Sequence, residues 1–155
     1  LPHCLGVAVD ISEKSLQIAR LNAQKLNLEK RLHFICADWF APDFLTAINQ
    51  KFNLIVSNPP YIPTGDISAL DTEVKDHDPW LALDGGKDGL ASYNRIAELA
   101  QQLLLPHGYI IIEVGINQAQ DVAAIFSRQK LKLLKIAKDL GSIDRCLVLQ
   151  KSDIL

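Results

Sequence analysis

Short β-branched apolar runs alternate along this chain with stretches of helical period. That alternation demands an α/β fold built on a largely parallel sheet. Residues 5–9 (LGVAV) predict a buried strand ending at Asp10. Ser12 is a natural N-cap for a helix over 13–26, whose Leu16, Ala19, Ala23 and Leu26 fall at helical spacing. Residues 32–37 predict a second strand, 42–50 a short helix and 52–56 a third strand, again buried. A connection rich in Pro, Gly and Asp then covers 58–91, a length that in a compact domain marks a functional or disordered segment. A helix follows over 92–104, with Tyr93, Ile96, Ala97, Ala100 and Leu104 on one face. Pro106-His107-Gly108 predicts a turn, 109–114 a strand and 118–129 a helix. Two strands, 131–137 and 145–150, close the chain around a turn at Gly141, a link so short that they must run antiparallel.

At 155 residues the chain suits one domain with a real core. The net charge of −2 supplies no basic field for a nucleic-acid backbone, so direct nucleic-acid binding is not expected. Cys4, Cys36 and Cys146 are odd in number and share no C-x-x-C spacing. They suit neither zinc nor a disulfide framework and fit a reducing, cytoplasmic setting. His3, His33, His77 and His107 are scattered, so no metal site is expected. No apolar run reaches the roughly 18 residues of a membrane helix, and no signal peptide is present. The sequence starts at Leu1 and contains no methionine, as expected of a piece of a longer parent.

The informative residues follow the first three strands, at the carboxyl ends where open α/β sheets bind ligands. A carboxylate such as Asp10 can accept two ribose hydroxyls, although a lone strand-end acid more often caps the next helix. Asp38-Trp39 offers an acceptor for an exocyclic amine beside an aromatic ring, or simply a turn acid beside a half-buried aromatic. Asn58-Pro59-Pro60-Tyr61 is more specific. Each proline fixes its φ near −65° and restrains the residue before it, so three successive residues are nearly rigid. Asn58 presents a side-chain oxygen and Pro59 a backbone oxygen, two acceptors able to grip both hydrogens of one planar NH₂ group while Tyr61 stacks on its plane. The alternative is an ordinary proline-rich turn capped by Asn. Gripped in this way, the nitrogen lone pair turns out of plane toward an electrophile, and positioning carries the catalysis without a strong base. The matching electrophile is a sulfonium methyl carried on an adenosine. Glu113 and Gly115 follow a later strand, where the acid is a supporting partner or simply exposed. Asp139 and Arg145 flank the last turn as a structural pair.

Asp10 after a strand, then Asp38-Trp39, then NPPY is an order that resembles class I S-adenosylmethionine-dependent methyltransferases acting on planar nitrogen. NPPY is shared with enzymes directed at adenine or guanine in nucleic acid. The stretches NPPYIP, EVKDHDPWLALDGGKDGLASY at 73–93, IIIEVG at 110–115 and KDLGSIDR at 138–145 are similar to the release-factor glutamine methyltransferases (PrmC/HemK type), over essentially the whole chain. The resemblance implies a Rossmann-like catalytic methyltransferase domain over 1–155. It implies S-adenosylmethionine as cofactor and N5-methylation of the glutamine in a Gly-Gly-Gln motif of a peptide chain release factor. It places Asn58, Pro59 and Tyr61 at the substrate glutamine, with Asn58 at the cofactor too. It places Asp10 at the cofactor ribose and Asp38 with Trp39 at the adenine, and it puts the 62–91 loop near the substrate.

Where the family pattern reads E-V-R-x-Y/F-E-P, this chain has Glu73-Val74-Lys75-Asp76-His77-Asp78-Pro79, which bears on loop contacts rather than on reaction class. The resemblance also implies a Gly-rich loop with its central strand, and an N-terminal helical domain, all ahead of Leu1. Gly85, Gly86 and Gly89 follow no strand and do not replace that loop. The chain by itself is therefore expected to bind S-adenosylmethionine weakly or not at all, unless the missing strand is supplied. The competing readings are an adenine or guanine amino-methyltransferase and a truncated, non-catalytic chain.

Overall fold

The computed structural model of the chain describes residues 3–71 and 78–152. Its backbone divides into two compact units, Leu1–Asn49 and Gln50–Leu155.

In the first unit, β1 (Gly6–Asp10) pairs in parallel with β2 (Leu32–Cys36), and α1 (Glu13–Lys25) connects them. Ser12 caps α1, its Oγ accepting from Ser15 N at 3.2 Å, while Glu13 and Lys25 complement the helix dipole at the two ends. Leu16 and Ala23, two turns apart, form the buried face. Leu26 lies just past the helix and is exposed. A short helix, α2 (Phe44–Ile48), buries both of its terminal side chains. The apolar run 5–9 predicts a buried strand, yet Gly6 to Val9 are only half-buried and Leu5 is exposed. The reason is that β1 has one strand partner, β2, among the described residues.

The second unit holds four strands in the order β3-β4-β6-β5: β3 (Phe52–Ser57), β4 (Leu104–Glu113), β5 (Leu131–Lys138) and β6 (Asp144–Lys151). β3 and β4 run parallel, and β6 runs antiparallel to both β4 and β5. Three of the four strands therefore share a direction, and the reversed one is the last in the chain. Ile110 faces Leu149 and Ile112 faces Leu147, and all four side chains are fully buried. The helices α4 (Ala91–Leu103) and α5 (Ala119–Arg128) supply the rest of the core, including Tyr93, Ile96, Val122 and Phe126. The face expected of α4 is buried throughout. β3 departs from expectation as β1 does: its residues are half-buried or exposed, because β4 is its one strand partner among the described residues.

The turn expected at Pro106-His107-Gly108 is a bulge inside a longer β4. Phe52 pairs with Leu104 and Leu54 with Tyr109, so four residues of β4 bow out opposite one of β3. His107 takes a left-handed φ of 60° there, and Gly108 is pressed to the backbone, where an added Cβ would lie 2.9 Å from Leu105 O. At the end of β6 beside this bulge, Lys151 is buried with its ammonium donating to Gln101 O and Leu104 O, closing the carboxyl end of α4. Asp139 builds the β5–β6 turn, accepting from Gly141 N (2.8 Å) and Ile143 N (3.0 Å), while its other oxygen meets Arg145 Nε at 3.2 Å.

Candidate active site

In the first unit, Asp10 and Asp38 stand at the ends of paired strands, where Ala37 N donates to Asp10 O at 3.1 Å. Each acid is fixed by an amide two residues on: Asp10 Oδ1 accepts from Ser12 N at 2.7 Å and Asp38 Oδ1 from Phe40 N at 2.8 Å. Both are local turn bonds to the backbone two residues on, and each uses one oxygen of the carboxylate; α1 itself is capped by Ser12 rather than Asp10. The second oxygen of each carboxylate accepts nothing from the described residues. Trp39 is half-buried and meets the exposed Phe40 edge-on, centroids 6.4 Å apart.

In the second unit, Asn58 follows β3 and is exposed, Pro59 is buried, and Pro60 and Tyr61 are half-buried. Among the described residues nothing donates to the Asn58 carboxamide oxygen or to the Pro59 carbonyl. Tyr61 is held from several sides. Its hydroxyl donates to Glu113 Oε1 at 3.4 Å, across from the end of β4. Burial and the Glu113 carboxylate raise the Tyr61 phenol above its ordinary range, only partly opposed by Arg145. The Tyr61 carbonyl accepts from Gln118 Nε2 at 3.0 Å. Tyr93, fully buried on α4, sits behind this cluster, its hydroxyl 3.2 Å from Glu113 O and 3.3 Å from Gln118 Oε1. Burial drives the Tyr93 phenol far upward, so it is a neutral hydrogen-bonding group at any physiological pH.

The glycines that the sequence leaves without a role press on this site. A Cβ on Gly85 would lie 2.8 Å from both Tyr61 Cα and its carbonyl carbon. Gly89, at φ +75°, would drive a Cβ into Tyr61 O. The chain after Tyr61 is tied to the same segment: Ile62 N donates to Leu83 O (3.0 Å) and Gly85 N to Ile62 O (2.8 Å). Asp84 secures the tie, its Oδ1 accepting from Thr64 Oγ1 (2.7 Å) and Gly86 N (2.9 Å), its Oδ2 from Trp80 Nε1 (3.1 Å). Within the long connection a 3-10 helix (Thr64–Ala69) and a single turn, α3 (Trp80–Leu83), are formed. The Glu73 to His77 departures from the family pattern lie outside the described residues.

The structure thus brings Asn58, Pro59 and Tyr61 together with Glu113, Tyr93 and Gln118 in one unit, and Asp10, Asp38 and Trp39 together in the other. Glu113 was legible in the sequence only as a strand-end acid, and Gln118 only as a helix start. Among the described residues no group of His, Cys, Asp and Glu is placed to hold a metal. Nor is any described helix long and apolar enough to cross a membrane.

The strand order, with its reversed last strand, is that of a class I methyltransferase. A methyltransferase from Pyrococcus furiosus superposes with a TM-score of 0.69 over 97% of this chain and 64% of that one, at 18% identity. Residues 2–147 match the model of the methyltransferase domain, and the chain belongs to that family. The release factor glutamine methyltransferase of Agrobacterium fabrum is 42% identical over 146 residues, covering 94% of this chain and 49% of that protein. The enzyme of the same name from Rhodospirillum rubrum is 43% identical over 150 residues, covering 97% and 45%. The chain spans about half the length of the curated relatives it matches.

Proposed function

We propose that this chain is the catalytic domain of a cytosolic release factor glutamine methyltransferase. The protein would methylate N5 of the glutamine in the Gly-Gly-Gln motif of a peptide chain release factor. The observation that carries this reading is the pair of unclaimed acceptors, Asn58 Oδ1 and Pro59 O, on a stiff segment at the end of β3. A primary carboxamide offers two N–H donors on one nitrogen, which matches two acceptors. Tyr61, with its hydroxyl bonded to Glu113, presents a ring for the amide plane. The identity to enzymes of that name, across nearly the whole chain, supports the same substrate class.

The acceptor set of the first unit fits a nucleoside. Asp10 keeps one carboxylate oxygen for ribose hydroxyls, and Asp38 keeps one for the adenine amine beside Trp39. When bound, S-adenosylmethionine supplies an electrophilic methyl group on a sulfonium. Asn58 and Pro59 hold the two amide hydrogens, which weakens conjugation of the nitrogen lone pair and directs it outward. Asp10, Asp38 and Trp39 would hold the cofactor as it supplies its methyl to that nitrogen and departs as a neutral thioether, and one of the amide protons held by Asn58 and Pro59 would then leave to solvent. No residue has to take a proton beforehand, so the chain contributes geometry and fixed dipoles rather than a strong base.

The test is methyl transfer by the full-length protein from labelled S-adenosylmethionine to a purified release factor, with its Gly-Gly-Gln→Gly-Gly-Ala variant as control. Label is expected on the wild-type factor only. Asn58→Ala is expected to reduce kcat about 100-fold or more, the order seen when one fixed polar partner of a reacting group is removed. Label on RNA or DNA instead of the factor would identify an adenine or guanine methyltransferase.

A further inference from the structure

The reaction proposed above requires Asn58 and Pro59 to stay where they are, and nothing among the described residues bonds to the acceptor atoms themselves. The chain is fixed instead one peptide beyond Pro60. Gln118 Nε2 donates to Tyr61 O at 3.0 Å and reaches Gly89 O at 3.4 Å. On its other side, Gln118 Oε1 accepts from Gly115 N at 3.0 Å and lies 3.3 Å from the Tyr93 hydroxyl. The orientation of this amide is unambiguous, because two carbonyls face one end and a backbone N–H faces the other.

Gln118 occupies the N-cap position of α5, yet its side chain makes no capping bond. The residue types that favour this position are Ser, Thr, Asp and Asn. Here the side chain is turned to tertiary contacts, while the backbone carries the local structure: Gln118 N donates to Gly115 O and Val122 N to Gln118 O. Gly115 leaves room for it, since a Cβ there would lie 3.0 Å from both the Gln118 carboxamide carbon and Tyr61 Cδ2. Two prolines separate Asn58 from Tyr61, so the position of Tyr61 O is transmitted to Pro59 O and Asn58 through backbone with little torsional freedom.

We propose, on the reading of the site given above, that Gln118 is a positioning residue whose carboxamide clamps the Tyr61 carbonyl and thereby aims the Asn58 and Pro59 acceptors. It acts through the Tyr61 and Gly89 carbonyls, tying the segment after β3 and the glycine segment to the start of α5.

Gln118→Glu separates the two ends of the clamp. The substitution keeps an acceptor for Gly115 N and the Tyr93 hydroxyl but sets a carboxylate oxygen against two carbonyl oxygens. Protonation of that oxygen restores a donor to Tyr61 O. Facing carbonyls and partly buried, the new carboxyl has a raised pKa, so the protonated form returns as pH falls. The titratable and charged groups around it are Tyr61, Tyr93 and Glu113, with Arg145 on β6. Both phenols are shifted upward and stay neutral over pH 6–9, and Glu113 and Arg145 are common to the wild type, whose pH profile corrects for them.

The experiment uses the full-length protein, with kcat, KM and amide hydrogen exchange measured from pH 6 to 9. Gln118→Glu is expected to lose about 10-fold or more in kcat at pH 8, with KM for S-adenosylmethionine within about two-fold. It is expected to recover most of that loss, relative to wild type, toward pH 6. Peptides spanning 61–64 and 84–90 are expected to exchange faster in the variant at pH 8 and to regain protection at pH 6, after correction for intrinsic rates. A kcat at pH 8 within two-fold of wild type overturns the proposal. So does a loss that is the same at both pH values, or a variant unfolded at both. If the wild type methylates no Gly-Gly-Gln factor, the functional reading fails by itself. The exchange data then decide the clamp: pH-dependent loss of protection upholds it and unchanged protection overturns it.

Discussion

Tyr61 is surrounded at contact distance by backbone, and Gly89 shows how little room remains. Its φ of +75° is costly for any residue with a Cβ, and the added carbon would also overlap Tyr61 O. Gly89→Ala is expected to destabilise the fold by about 1–3 kcal/mol, the range for a residue forced into a sparsely populated backbone region. Gly65→Ala, where an added Cβ meets nothing within 4 Å, should stay within about 0.5 kcal/mol of wild type. Urea melts of the two variants check the contrast, and equal midpoints would contradict it. Asn58, Pro59 and Tyr61 could be singled out as candidates from sequence because the restraint is local: the prolines act on their own neighbours. Gln118 could not, since its partner Tyr61 lies 57 residues away and nothing in the text around Gln118 announces the contact. The same holds for Gly85 and Gly89, which no strand precedes and which only the fold sets against Tyr61.

Among elements, the expected strands and helices lie within a residue or two of those observed, because apolar pattern marks them, except β4, which starts at Leu104 rather than 109 because the Pro106-His107-Gly108 turn is a bulge within it. The connection after β3 was legible only as a long loop. Its 3-10 helix and α3 are too short to show a period, and among the bonds that tie it, those of the Asp84 side chain join Thr64, Trp80 and Gly86. Hydrogen bonds from the Thr64 hydroxyl and the Gly86 amide hold the Asp84 carboxyl below its usual range. A lowered folded-state pKa means that the tie is present above about pH 4, the ordinary carboxyl value, and is lost as pH falls through the lower folded value. Trp80 reports on it, since its indole N–H donates to Asp84 at 3.1 Å. With Trp39→Phe leaving one tryptophan, Trp80 emission is expected to change with a midpoint below about pH 4 while far-UV circular dichroism is still unchanged. Asp84→Asn should remove that acid transition. A midpoint above pH 4, or a transition that persists in Asp84→Asn, would contradict the assignment.

For the whole molecule, the apolar runs at 5–9 and 52–56 read alike as buried strands, because composition tells that a residue is apolar and not which neighbours cover it. What covers a strand is decided by pairing. β4 and β6 lie between partners and bury Ile110, Ile112, Leu147 and Leu149 completely. β1 and β2 have only each other among the described residues, and neither contains a buried residue. The first unit's buried apolar residues are Leu16, Ala23, Phe44 and Ile48, all on helices. A two-stranded sheet with so small a core is marginal, whereas the second unit has four strands and two packed helices. Opening of the first unit should therefore precede global unfolding in the chain Leu1–Leu155. Native-state hydrogen exchange measures this directly. Amides of β4 and β6 are expected to exchange only through global opening. Those of β1 and β2 should exchange about 100-fold faster or more, a gap of at least about 2.7 kcal/mol in opening free energy. Protection in β1 and β2 equal to that in β4 would mean that the two units open as one, and would overturn this division of stability.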